Sequence, residues 1–118
     1  MRWQLTQDDI GKLETLSVVS FLPRKDTAQM LGTHPITVIR YAKTLGNAIA
    51  EFGYTKGEGG YTGEAVQIML LYRNLTSKGM SRLRAIKTIS LELMAHDSIS
   101  DLAKHLTQNS QENPTNEL

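Results

Sequence analysis

The sequence predicts a small, mainly α-helical domain that carries one short two-stranded β-hairpin. Three observations lead there. A chain of 118 residues and 13.2 kDa has room for one hydrophobic core. Apolar residues recur at helical spacing through most of its length, between recognisable caps and breakers. Residues 48–61 abandon that period and place aromatic residues on either side of a Gly-rich centre.

A first helix is expected to start at Gln7. Thr6 followed by Asp9 resembles a capping box with Asp in place of Glu, and Leu5 and Ile10 stand at hydrophobic-staple positions. Ile10, Leu13 and Leu16 then form one apolar stripe, which ends as Val18 and Val19 bring β-branching and the period is lost. Pro23 breaks the chain before a short second helix over Arg24–Leu31, which Gly32 stops by accepting a left-handed conformation. Thr33 and His34 form a turn. Pro35 fits the first turn of a third helix over residues 36–45, with Gly46 and Asn47 as its stop.

Residues 48–61 read as a two-stranded hairpin, since four glycines among eight residues do not sustain a helix. Thr62 caps a fourth helix through Ser77, with Val66, Met69, Leu70 and Arg73 on one face. After Gly79, Ser81 caps a fifth helix with the stripe Leu83, Ile86, Ile89, Leu93 and Met94. A break at Asp97 and Ser98 precedes a short last helix presenting Ile99, Leu102, Ala103 and Leu106. Residues 107–118 are polar and aperiodic, and a disordered tail is expected there.

Composition narrows the function classes. Hydrophobic residues make up 40% and charged residues 21%, the proportions of an ordinary globular domain. With no cysteine, disulfide scaffolds, thiolate metal sites and cysteine nucleophiles are excluded together. The longest apolar run, residues 68–72, falls far short of the roughly 20 residues a membrane helix needs. Asp8 and Asp9 interrupt the N-terminus where a signal peptide requires apolar residues, so a soluble, cytoplasmic protein is expected.

Net charge is only +1, yet it is segregated. Residues 21–47 carry +3 and residues 78–91 carry +4, while residues 92–118 carry −4. Folding that unites the two basic islands would produce a basic face on a nearly neutral protein, the electrostatic footprint of a nucleic-acid binder.

The first island contains a pattern with a mechanical reason. A helix-turn-helix needs a small residue in its first helix, a turn residue tolerant of positive φ, and a buried aliphatic residue in its second. Ala28, Gly32 and Val38 fill these places, and Thr33, His34, Ile36, Thr37, Arg40, Tyr41 and Lys43 supply the expected exposed positions between and beyond them.

Residues 28–43, AQMLGTHPITVIRYAK, resemble the opening helices of MerR-type and excisionase-type winged helix-turn-helix proteins. GGYTGEAV at residues 59–66 resembles the wing and third-helix start of that superfamily, and KGMSRLRAIK at residues 78–87 is similar to its helix-Gly-Met-Ser-helix joint. The resemblance covers roughly residues 22–90 and implies a winged helix-turn-helix with a small β-hairpin wing and additional flanking helices. On that reading residues 1–21 are an N-terminal helical extension, 22–96 the DNA-binding domain, 97–106 a short C-terminal helix and 107–118 the tail.

The resemblance also implies roles. Thr33, His34, Thr37, Arg40, Tyr41 and Lys43 fall on the turn and recognition helix, which enters the major groove, and Tyr54, Lys56 and Tyr61 fall on the wing. Arg40 suits either a bidentate contact to guanine or a phosphate contact. Arg24, Lys25, Arg82 and Arg84 are assigned to phosphates. Double-stranded DNA is the expected partner. A homodimer on an inverted repeat is expected, with Ile10, Leu13 and Leu16 as its contact, and RNA polymerase is met through promoter occlusion. The alternative for those three residues is that their helix covers the chain's own core.

Two departures qualify the match. Ile39 stands where many relatives carry a second basic residue. A long coiled-coil helix and a cysteine-bearing effector region are not expected in this sequence either, so the regulator is read as effector-independent, with no cofactor and no metal. His96, Asp97, Asp101 and His105 form the one cluster that suggests a metal, and an exposed helix end explains it equally well. No nucleotide loop, nucleophile elbow or zinc-protease motif occurs, and an enzyme is not expected. Alternatives are an excisionase-like architectural factor of a mobile element and a protein-interaction module that does not bind DNA.

Overall fold

The computed structural model describes residues 5–53 and 59–116. In chain order these form α1 (Gln7–Leu16), β1 (Leu22–Pro23), α2 (Arg24–Leu31), α3 (Pro35–Ala48), a single 3-10 turn (Ala50–Phe52), β2 (Gly60–Tyr61), α4 (Gly63–Ser77), α5 (Arg82–His96) and α6 (Ile99–Asn116). The fold is mainly helical with one two-stranded antiparallel sheet.

Local chemistry sets the helix starts. Thr6 Oγ1 accepts from the Asp9 N–H at 3.0 Å while the Thr6 N–H donates back to Asp9 Oδ2 at 3.1 Å, completing the capping box of α1. Thr62 Oγ1 accepts from the Ala65 N–H and Ser81 Oγ from the Arg84 N–H, capping α4 and α5. α2 begins without a side-chain cap. Thr27, fully buried, instead donates its hydroxyl to the Pro23 carbonyl at 3.0 Å, and the Arg24 N–H donates to the Gly59 carbonyl at 3.0 Å.

α4 is the centre of the molecule. Val66, Ile68, Met69, Leu70, Leu71, Tyr72 and Leu75 are all buried, which takes in every side of the helix, and α1, α2, α3, α5 and α6 all pack against it. The single apolar face read from Val66, Met69, Leu70 and Arg73 is thus too narrow, because a helix enclosed by five others buries all of its sides. Ile10, Leu13 and Leu16 face inward from α1, and Ile99, Leu102, Ala103 and Leu106 from α6, as their periodicity predicts. Gly63 lies under the chain that follows α1: a Cβ there would run into the carbonyl oxygens of Leu16 and Val19.

Four expectations are corrected. α3 continues through Gly46 and Asn47 to Ala48, because Leu45 and Ile49 both reach the core and hold the extra turn. Among the described residues of 48–61, Ile49 and Phe52 are buried, and Gly60–Tyr61 finds its partner outside the segment, pairing with Leu22–Pro23 in the register Leu22 to Tyr61 and Pro23 to Gly60. On α5 the buried residues are Ala85, Ile89 and Leu93, while Leu83 and Met94 face solvent, so the stripe lies to one side of the predicted one. α6 runs past Leu106 to Asn116 where a tail was expected, and Thr107 is buried in its extension.

Candidate nucleic-acid interface

α2 and α3 meet across Gly32, Thr33 and His34. Gly32 takes φ 66° and ψ 41°, its N–H donates to the Gln29 carbonyl at 3.1 Å, and the Thr33 N–H reaches back to the Ala28 carbonyl at 2.9 Å. These bonds consume the last carbonyls of α2, and the left-handed residue turns the chain sharply. His34 then caps α3, its Nδ1 accepting from the Ile36 N–H at 3.1 Å. In the neutral imidazole that bond leaves the proton on Nε2, which points a donor outward.

α3 is divided lengthwise. Val38, Ala42 and Leu45 are wholly buried, and burial of such aliphatic side chains is worth about 1.5–3 kcal/mol each for the larger ones. Ile36, Ile39, Arg40 and Lys43 are exposed on the opposite side, the two isoleucines at 52% and 39%. The outer face of α3 therefore combines two cations with a substantial apolar surface. Thr33 and Thr37 sit half-buried at its edge.

Arg73 of α4 locks the motif to the core. Its Nη1 donates to the Tyr41 hydroxyl at 2.9 Å and its Nη2 lies 3.4 Å from the Gly32 carbonyl. Tyr41 also packs edge-on against Tyr72, with ring centroids 5.3 Å apart. Burial pushes the Tyr72 hydroxyl above its ordinary value, opposed by the nearby Arg82 guanidinium and reinforced by Tyr41. Arg82, at the start of α5, is thus close enough to act on Tyr72.

The predicted site residues divide accordingly. Lys25, His34, Arg40, Lys43, Arg82 and Arg84 are exposed. Arg24 is half-buried with its Nε 3.5 Å from the Tyr61 hydroxyl. Tyr41 is engaged within the molecule, which makes it a positioning residue for α3 and removes it from the outer surface. Tyr61, expected on the wing, is buried in the core because β2 pairs next to α2. Tyr54 and Lys56 lie outside the described residues. Ile10, Leu13 and Leu16 are buried within the chain itself and offer no exposed surface for a dimer. Arg73, Ile36 and Ile39 are the residues that reading by motif underweighted; the signal for Arg73 is a lone cation inside the most apolar helix.

The rings of His96 and His105 lie with their centroids 4.7 Å apart and their planes tilted by 38°, and His96 Nε2 lies 3.7 Å from Glu92 Oε1. Among the described residues no group of three His, Cys, Asp or Glu is arranged to hold a metal ion, and no helix is long and apolar enough to cross a membrane. Comparison with protein-family models, with characterised proteins and with solved structures gave no match.

Proposed function

We propose that this chain is a sequence-specific double-stranded DNA-binding regulator of the winged helix-turn-helix kind, with α3 as the recognition helix. The observation that carries the reading is the division of α3: Val38, Ala42 and Leu45 anchor it, while Ile36, Ile39, Arg40 and Lys43 line its outer face. An α-helix fits the major groove, where an arginine fork matches guanine O6 and N7 and aliphatic groups match the thymine methyl. Arg40 is assigned the base contact, and Ile36 and Ile39 the methyl contacts. Lys25, Lys43, Arg82 and Arg84 are assigned to phosphates, which set register without reading sequence.

The regulator works as a homodimer on an inverted repeat near a promoter, and represses by excluding RNA polymerase. It needs no cofactor, metal or catalytic group, and it acts in the cytoplasm, on the nucleoid. Selection of bound duplexes from a random pool tests the reading. The expected product is a palindromic consensus whose half-sites lie about 10 bp apart, or a multiple of that. Enrichment of direct repeats would favour an architectural role in a mobile element, and failure to enrich any sequence would contradict the proposal.

A further inference from the structure

A groove of about 540 Å³ runs between α1 and α6, and Gln67 of α4 forms part of its floor. Small-molecule sites commonly measure roughly 300–1,000 Å³. Gln67 is wholly buried, and its Nε2 donates to the Leu13 carbonyl at 2.9 Å. That bond fixes which way the amide lies: Oε1 is turned from the Leu13 carbonyl and has no hydrogen-bond partner among the described residues. A buried acceptor left without a donor is unfavourable, so a donor from outside the chain is favoured at this place.

The walls of the groove are rich in acceptors too. Ser17 Oγ donates to the Glu14 carbonyl at 2.6 Å, Ser100 Oγ to Glu64 Oε2 at 3.1 Å, and Thr107 Oγ1 to the Lys104 carbonyl at 2.9 Å. A hydroxyl has one proton, so each of these three has only lone pairs left for a ligand. Glu14 adds a carboxylate to the α1 wall, and Lys104, exposed on α6, is the one cation among the described residues that line the groove. The groove is therefore complementary to a ligand that donates hydrogen bonds. Because Gln67 is wholly buried, only a small head group that parts the walls slightly reaches Oε1, and an ammonium, compact and with three donors, meets that condition.

We propose that the groove between α1 and α6 binds a small primary amine, whose ammonium donates to Gln67 Oε1 between walls of hydroxyl and carboxylate oxygens. The site shares no residue with the outer face of α3, so it stands apart from the DNA reading, and it departs from the expectation of a protein that takes no effector.

The test is a titration of the full chain with ethylamine and, at matched ionic strength, with sodium acetate, followed through the backbone amide resonances. Ethylamine should give saturating shifts in the millimolar range, as befits so small a ligand, confined to residues 13–17, 67 and 100–108. Acetate should give none there. Gln67→Met keeps the length of the side chain and removes the acceptor, and it should weaken ethylamine binding by at least about tenfold. Thr107→Val removes a wall oxygen at nearly constant shape and should weaken it by about threefold, which keeps the test decisive if Gln67→Met does not fold. Shifts that do not saturate, shifts spread over the whole surface, equal shifts with acetate, or an affinity unchanged by Gln67→Met in a folded chain would overturn the proposal. If Gln67→Met does not fold, an affinity unchanged by Thr107→Val would overturn it in the same way.

Discussion

Arg73 donates to the Tyr41 hydroxyl at 2.9 Å, joining the central helix α4 to α3. The bond is charge-assisted and half-buried, so it holds α3 at a fixed rotation about its axis. Tyr41→Phe is expected to destabilise the fold by about 1–2 kcal/mol, the usual cost of removing one partner of a charged hydrogen bond. On the proposed reading Tyr41 positions α3 without touching bases, so the ratio of specific to non-specific DNA affinity should be retained. Denaturant melts and duplex binding on the same variant check both halves.

Gly63 begins α4 where the chain leaving α1 crosses it. Gly63→Ala would put a methyl group into the carbonyl oxygens of Leu16 and Val19, which are backbone and cannot rotate away. A loss of about 1–3 kcal/mol is expected, as for other overpacked sites. It should be read as a lower denaturation midpoint with an unchanged slope. An alanine variant as stable as the parent would show that the turn after α1 yields more easily than its packing implies.

Tyr72 gives the fold a dependence on alkaline pH. Its phenol is held neutral in the core, above the ordinary value of 10.0, mainly by burial. The unfolded chain ionises near 10.0 and the folded chain higher, so this contribution to stability is whole below pH 10 and is lost as pH rises through the folded value. Thermal melts of Tyr72→Phe should fall less steeply above pH 10 than those of the parent, and coincide in slope with them below it.

Most of the helices are legible in the sequence because their ends are written in local chemistry. Thr6 with Asp9, Thr62, Ser81 and Gly32 announce the boundaries of α1, α4, α5 and α2, and each makes the bond its type predicts. What local chemistry does not contain is partner choice. Gly46 and Asn47 read as a stop, yet buried Leu45 and Ile49 on either side keep α3 going. Tyr61 reads as a wing residue, yet its strand finds Leu22 and Pro23, far away in sequence. Leu83 and Met94 fit an apolar stripe as well as Ala85 does, and only the packing of α5 on α4 decides which of them is buried. At the candidate interface the same rule holds: the exposed cations are visible in the sequence, whereas the task of Arg73 depends on where Tyr41 lies.

The central claim is that the outer face of α3 reads DNA sequence. The measurement that tests it most directly is binding of the purified chain to its own upstream region and to a scrambled duplex of equal length, across a salt series, with Arg40→Ala alongside. The account predicts that the native duplex binds about a thousandfold tighter or more, and that Arg40→Ala costs about 1–3 kcal/mol of that discrimination while leaving non-specific binding largely in place. Equal binding of both duplexes with a steep salt slope, or no binding to either, would contradict it.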